Sequence, residues 1–187
     1  AANNEKTFHF DVNSGGNKWA SRTSITFSDF GNLEMGQFGP DDCLKKFTVQ
    51  RIDNEDKIVE NINPRIQDPS AYRQINLMQK FKYQASRYLN LNYAFHFSET
   101  SEYSRYDRLI ETNAGGSPVF AVWNYGPQIW MMNQLSLNYS RENRLFDKML
   151  VNLAFQIFEE SRIDRRFNQN RLRTQKERVN APSMNLD

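Results

Sequence analysis

Adjacent carboxylates are the first candidates for chemistry, because two carboxyl groups that share a proton can act as general acid and base. They occur at Asp41-Asp42 and Glu159-Glu160. Glu159 and Glu160 lie in a stretch that alternates apolar and polar residues. Neighbours on a strand point to opposite faces, so this pair is not expected to work as a dyad. The charges of Glu160, Arg162, Asp164 and Arg166 fall on one face of the same stretch, and Arg105 and Arg108 are expected across from them on a neighbouring strand. Such an array is either a ladder of cross-strand ion pairs or a patch that handles an anionic ligand. His96 shares a face with Asn90, Asn92 and Ser98, and a single histidine there is expected to be hydrogen-bonded within the sheet rather than to bind a ligand. The same holds for His9. Trp123, Tyr125 and Trp130 flank Gly126-Pro127, where they form an interfacial aromatic belt and loop base or stack on a ligand. No Ser-His-Asp arrangement can be assembled, and no glycine-rich phosphate motif is present. The single cysteine, Cys43, permits no internal disulfide and no cysteine metal site. The expectation is a binding protein and not an enzyme, without metal or cofactor. Its candidate ligand contacts are Trp123, Tyr125, His96, Arg105 and Arg108.

The elements that would carry these residues share a repeated interval. Trp19, Ile25 and Phe27 share a face that stops at Asp29. Leu89, Leu91, Tyr93, Phe95 and Phe97 share one that stops at Glu99, and Met149, Val151, Leu153, Phe155 and Ile157 one that stops at Glu159. A period of two places such residues on one side of a β-strand. A tilted strand crosses a bilayer in about 9–11 residues. A membrane β-barrel gives a reason for the interval to recur.

Composition agrees with that reading but does not single it out. Among 187 residues are 14 Phe, 8 Tyr and 3 Trp. A barrel with a wet interior and an aromatic-rich soluble β-protein share such a composition. A net charge of +2 is too mild to imply nucleic acid. No apolar run is long enough for a transmembrane helix. The first residues lack a basic region followed by an apolar one, so a secretory leader is expected to have been removed or to lie outside an internal piece.

Seven strands are expected, at 6–13, 19–34, 75–85, 89–103, 130–139, 148–164 and 178–187. Ser14-Gly15-Gly16-Asn17 is expected as a tight turn that exploits positive φ. Within the long segment 35–74, residues 46–52 and 57–62 flank Asp53-Asn54-Glu55-Asp56 as a small hairpin. Connections alternate short and long, with 35–74, 104–129 and 165–177 as the long ones. That is an up-and-down antiparallel sheet with one plain rim and one elaborated rim. Bacterial single-chain barrels have even strand counts, so an odd seven reads as an open arc of a larger barrel.

Several segments carry a family resemblance. They are Arg105-Tyr106-Asp107-Arg108-Leu109, Trp123-Asn124-Tyr125-Gly126-Pro127-Gln128, and Phe158-Glu159-Glu160-Ser161-Arg162-Ile163-Asp164-Arg165-Arg166-Phe167. Ser183-Met184-Asn185-Leu186-Asp187 follows downstream, and Ser28-Asp29-Phe30-Gly31-Asn32-Leu33-Glu34-Met35-Gly36 precedes them. In this order they resemble the mid-barrel region of TonB-dependent outer-membrane receptors of Bacteroidetes-type bacteria, across nearly the whole chain. The resemblance implies a 22-stranded barrel with a plugged lumen in the outer membrane of a Gram-negative cell. It also implies import of a scarce ligand such as an iron chelate, haem or cobalamin. The implied partners are outer-membrane lipid, the protein's own plug domain, the inner-membrane TonB energy-coupling protein and a small-molecule ligand. The chain carries no plug, no TonB-contacting box and no aromatic-terminated last strand, so transport is expected to need more than these residues. Pro182 stands where a strand former is expected and puts the pairing of the last strand at issue. The alternatives are a soluble all-β binding module with a sandwich core, and a barrel that does not transport.

Overall fold

The computed structural model describes residues 4–187. Period-two alternation builds β1 (Lys6–Gly15) and β2 (Trp19–Phe30), then a hairpin of β3 (Phe47–Ile52) and β4 (Glu55–Glu60). There follow β5 (Tyr72–Gln84), β6 (Leu89–Thr100), a two-residue β7 (Tyr103–Ser104), one helical turn α1 (Tyr106–Leu109) and β8 (Phe120–Tyr125). The chain ends with β9 (Ile129–Tyr139), β10 (Met149–Arg166) and β11 (Arg173–Leu186). Nine strands form one antiparallel sheet in the order β1-β2-β5-β6-β9-β10-β8-β7, with β11 on the free side of β10; β3 and β4 pair only with each other. The expected seven strands are therefore present as an up-and-down path, β1-β2-β5-β6-β9-β10-β11. The sheet does not close, and β1 and β11 end it as unpaired edges.

Register carries one apolar face across the whole path. Phe10 opposes Ile25, Ile25 opposes Leu77 and Leu77 opposes Phe97. Phe97 opposes Met131, and Met131 opposes Ile157. Glu99 and Glu159 flank Ile129 in a single row, while Asp29 lies beyond the Phe27–Ile75–Glu99 row. Among the described residues no second layer covers this face. Leu109 is the one buried apolar side chain among the described residues, whereas Phe8, Trp19, Phe81, Tyr93, Leu135 and Phe155 are all exposed. A sandwich buries its apolar faces between two sheets, and that architecture is absent here.

Several of the polar side chains that interrupt the apolar face satisfy one another. Thr23 donates to Gln79 Oε1 at 2.6 Å, and Gln79 Nε2 donates to Ser21 Oγ at 2.8 Å. Tyr93 donates its hydroxyl to Asn133 Oδ1 at 2.7 Å. Each pair faces across neighbouring strands, where directly opposed and diagonal side chains come within reach.

β8 and β9 are two parts of one long strand beside β10. Tyr125 opposes Arg162 and Ile129 opposes Glu159, so three residues intervene on one side and two on the other, as at a β-bulge. The bulge is Gly126-Pro127-Gln128. Gly126 has φ +102°, and a Cβ there would stand 2.9 Å from the Ser101 carbonyl oxygen. Only glycine fits such a conformation and approach. The interval 104–129, expected as connection throughout, thus holds a strand, because its turn chemistry masks β8's short alternation.

Other boundaries shift for identifiable reasons. β3 and β4 turn on Asp53 and Asn54 alone, at φ 50° and 64°. These are the left-handed values of a two-residue hairpin turn, so Glu55 and Asp56 belong to β4. The 14–17 turn closes with Gly16 N–H on the Trp19 carbonyl at 2.8 Å, and none of its residues has positive φ. β11 begins at Arg173, which leaves 167–172 as a connection shorter than the 140–148 one on the opposite rim. The strict short-long alternation therefore fails at the last hairpin, because paired charges extend β10 and β11 instead. Arg173 meets Asp164 at 2.7 Å and Lys176 meets Glu159 at 2.6 Å.

Pro182 does not break β11. It opposes Phe155, five positions along the ladder from Leu150 and Asp187, which exchange both backbone hydrogen bonds at 2.9 Å. Alternation then makes Phe155–Pro182 a non-hydrogen-bonded pair. The proline nitrogen faces the free edge, where no donor is required.

Candidate functional site

The polar face is assembled from residues of opposite parity, and the elaborated rim stands at its upper end. β6 and β7 are interrupted at Ser101-Glu102, level with the bulge at Gly126, and a bulge bends the strand that carries it. Thr100 N–H bonds the Gln128 carbonyl at 3.0 Å and Gly126 N–H bonds the Ser161 carbonyl at 2.8 Å. Above the bend, five rings from four strands meet. Phe30 stacks on Tyr72 at 4.6 Å between ring centroids, Tyr72 lies 5.6 Å from Tyr103, and Tyr103 lies 5.9 Å from Tyr125. Trp123 meets Tyr125 edge-on at 5.0 Å.

Arg105 secures the end of this row. Its guanidinium lies 5.2 Å from the Trp123 ring and 5.7 Å from the Tyr125 ring, within the range of cation–π attraction. It donates to the Tyr125 hydroxyl at 3.3 Å and to both carboxylate oxygens of Asp107. Those bonds to Asp107 and Tyr125 push the Arg105 pKa upward, and the same guanidinium holds the Asp107 carboxyl below its ordinary value. Burial, with Glu160 nearby, raises the Tyr103 phenol. Glu160 accepts from Gln128 Nε2 at 3.1 Å. The assembly offers flat apolar faces and phenol hydroxyls, beside a guanidinium already paired with Asp107. That equips it for noncovalent stacking.

Of the expected contacts, the fold brings Trp123, Tyr125 and Arg105 together. It does not add Arg108, which pairs with Glu111 at 2.7 Å at the far end of α1. Nor do Arg105 and Arg108 lie across from the charges of β10, because β8 occupies that place. Those charges pair locally instead: Arg162 with Glu160 at 3.5 Å and Glu177 at 3.9 Å, and Asp164 with Arg173. Arg166 takes no part in these ion pairs. His96 sits lower on the polar face, 5.9 Å from the Trp130 ring, beside a hollow of about 120 Å³ that Asn76 and Ser98 also line. His9 bonds Thr26 Oγ1 at 2.8 Å. Phe30, Tyr72 and Tyr103 carried no periodic signal, because each stands where a strand ends or bends.

Two further features surround the row. On the polar face, a broad hollow of about 480 Å³ opens over Ala20 and Ala94, edged by Arg22, Lys80 and Lys82. On the apolar-face side of the rim, the β3–β4 hairpin is clamped to the β10–β11 connection by Asp56. Its side chain is fully buried and accepts from Arg165 at 2.7 and 2.9 Å, from Arg51 at 3.1 Å and from the Asn168 N–H at 2.7 Å. Arg165 foremost holds this carboxyl down to about 2. Among the described residues, no group of three or more His, Cys, Asp or Glu is placed to hold a metal ion.

The chain matches no protein-family model, no curated protein and no solved structure.

Proposed function

We propose that the chain is part of the wall of an outer-membrane transport barrel of the TonB-dependent receptor type. In this reading the apolar face contacts lipid and the polar face lines a plugged lumen through which a scarce ligand is taken up. The observation that carries it is the single-layered sheet: one continuous apolar face, exposed across seven strands, with polar interruptions at its centre hydrogen-bonded to one another. Burying one large apolar side chain is worth about 1.5–3 kcal/mol, so a face of this extent requires a partner phase. In hydrocarbon a polar group without a partner costs several kcal/mol, which accounts for the Thr23–Gln79–Ser21 and Tyr93–Asn133 pairings. The 18 residues of β10 would extend to roughly 60 Å, about twice the hydrocarbon thickness. That length leaves the aromatic row and the β3–β4 hairpin above the membrane, where a ligand arrives. Trp123, Tyr125 and the neighbouring tyrosines are its proposed contacts, and the remainder of a 22-strand circumference comes from outside these residues.

Fractionation of the cells that make the full-length protein tests this reading. It should sediment with the outer membrane and resist salt and alkaline extraction. Recovery as a soluble periplasmic protein would overturn it.

A further inference from the structure

A buried lysine stands outside the aromatic row. Lys45 is 2 % exposed. Its backbone is fixed from both sides: its N–H bonds the Pro64 carbonyl at 2.8 Å, and Asn61 Nδ2 donates to its carbonyl at 2.8 Å. The side chain lines a cavity of about 300 Å³ between the β3 segment and β8. Among the described residues its ammonium makes no hydrogen bond and no ion pair. Asp68 lines the same cavity without pairing to Lys45, and its Oδ1 accepts from Asn32 Nδ2 at 2.8 Å. Leu109, Phe120 and Val122 form an apolar wall, and Ser104 and Asn124 add neutral polar groups. Burial draws the Lys45 amine down to about 8, with Asp68 opposing that shift.

An ammonium offers three donors and no acceptor, and this one lines the cavity with none of its donors answered by the chain. A carboxylate would answer it. A second anion near Asp68 would be repelled unless it carried its own positive group on that side. The volume stands at the low end for ligand pockets, so the occupant is small, and the wall favours an apolar body. We propose that this cavity binds a small zwitterion of the apolar α-amino acid class, with its carboxylate on Lys45 and its ammonium toward Asp68. The site is separate from the aromatic row and does not depend on whether the apolar face meets lipid.

Calorimetric titration of the full-length protein in detergent tests the assignment. The probes are L-leucine, 4-methylpentanoate, 3-methylbutylamine and inorganic phosphate. L-Leucine should bind, each half-ligand should bind at least about tenfold more weakly, and phosphate should not compete. Lys45→Met should weaken L-leucine at least about tenfold. Asp68→Asn should weaken L-leucine but leave 4-methylpentanoate unchanged or tighter. No heat with L-leucine, equal binding of the bare carboxylate, or an indifferent Lys45→Met would overturn the proposal. Should that variant fail to fold, the Lys45 amine can be titrated by NMR in the unaltered protein. L-Leucine must raise its pKa, and an unmoved titration overturns the proposal equally.

Discussion

The Tyr93 hydroxyl donates to Asn133 Oδ1 at 2.7 Å from within the exposed apolar face. Tyr93→Phe removes the donor and leaves the amide oxygen unanswered, a change that costs about 1–3 kcal/mol when no water can replace it. Tyr93→Phe combined with Asn133→Leu removes both partners and should recover most of that loss. Urea unfolding of the four species of this cycle, in bilayers of the full-length protein, measures the coupling. Additive losses would show that water reaches the pair.

The two faces should differ sharply in tolerance to charge. Phe155 lies on the apolar face and Gln156 on the polar one, as adjacent residues of β10. An arginine at a lipid-facing mid-membrane site costs about 2–4 kcal/mol and less toward the lumen. Phe155→Arg should therefore destabilise the folded protein markedly more than Gln156→Arg in the same unfolding assay. Equal effects would mean that the faces are misassigned.

Asp56 makes the attachment of the β3–β4 hairpin acid-sensitive. Its carboxyl is held at about 2 against an ordinary 3.8, chiefly by Arg165. A depressed carboxyl contributes stability that is complete above its unfolded value and disappears as pH falls through the folded one. The protection of the hairpin amides, taken relative to their intrinsic exchange rate at each pH, should therefore fall between about pH 4 and pH 2, while the β5–β6 ladder stays protected. In Asp56→Ala the hairpin should exchange fast at neutral pH too, with trypsin cutting at Arg51 and Lys57. A hairpin equally protected in wild type and variant would show that the clamp contributes nothing.

Gly126→Ala tests the bend. The added methyl would meet the Ser101 carbonyl oxygen at 2.9 Å and the Glu102 Cα at 3.1 Å, at a backbone angle that L-residues rarely adopt. A strained residue of this kind costs about 1–3 kcal/mol. Thermal unfolding should fall accordingly, and tyrosine fluorescence should report that the Tyr103–Tyr125 contact has loosened.

The strand path was legible because it rests on a two-residue period that few competing signals obscure. Leu89 through Phe97 reads as one face, and the register keeps it so. The polar interlopers Thr23, Gln79 and Asn133 broke that period in the sequence, and only cross-strand register shows that they answer one another. β8 was hidden because Gly126-Pro127 looks like a terminus when it is a bulge within a continuing strand. At the rim, Trp123, Tyr125 and Arg105 were legible from their types and closeness in sequence. Phe30, Tyr72 and Tyr103 join them only through pairing of strands far apart in the chain. Arg108 stands apart from them because one helical turn pairs it with Glu111. Lys45 gave no sequence signal at all, since its burial depends on the hairpin folding back onto β8.

Pro182 also sets a condition on whatever lies beyond β11. Its nitrogen faces the outer edge and has no hydrogen to give, so any strand that comes alongside finds one rung missing. That neighbour's carbonyl must turn to water or a hydroxyl, or a bulge must carry it past the gap. The position is a built-in seam, the place where adjacent strands would part at least cost if the sheet is ever opened sideways.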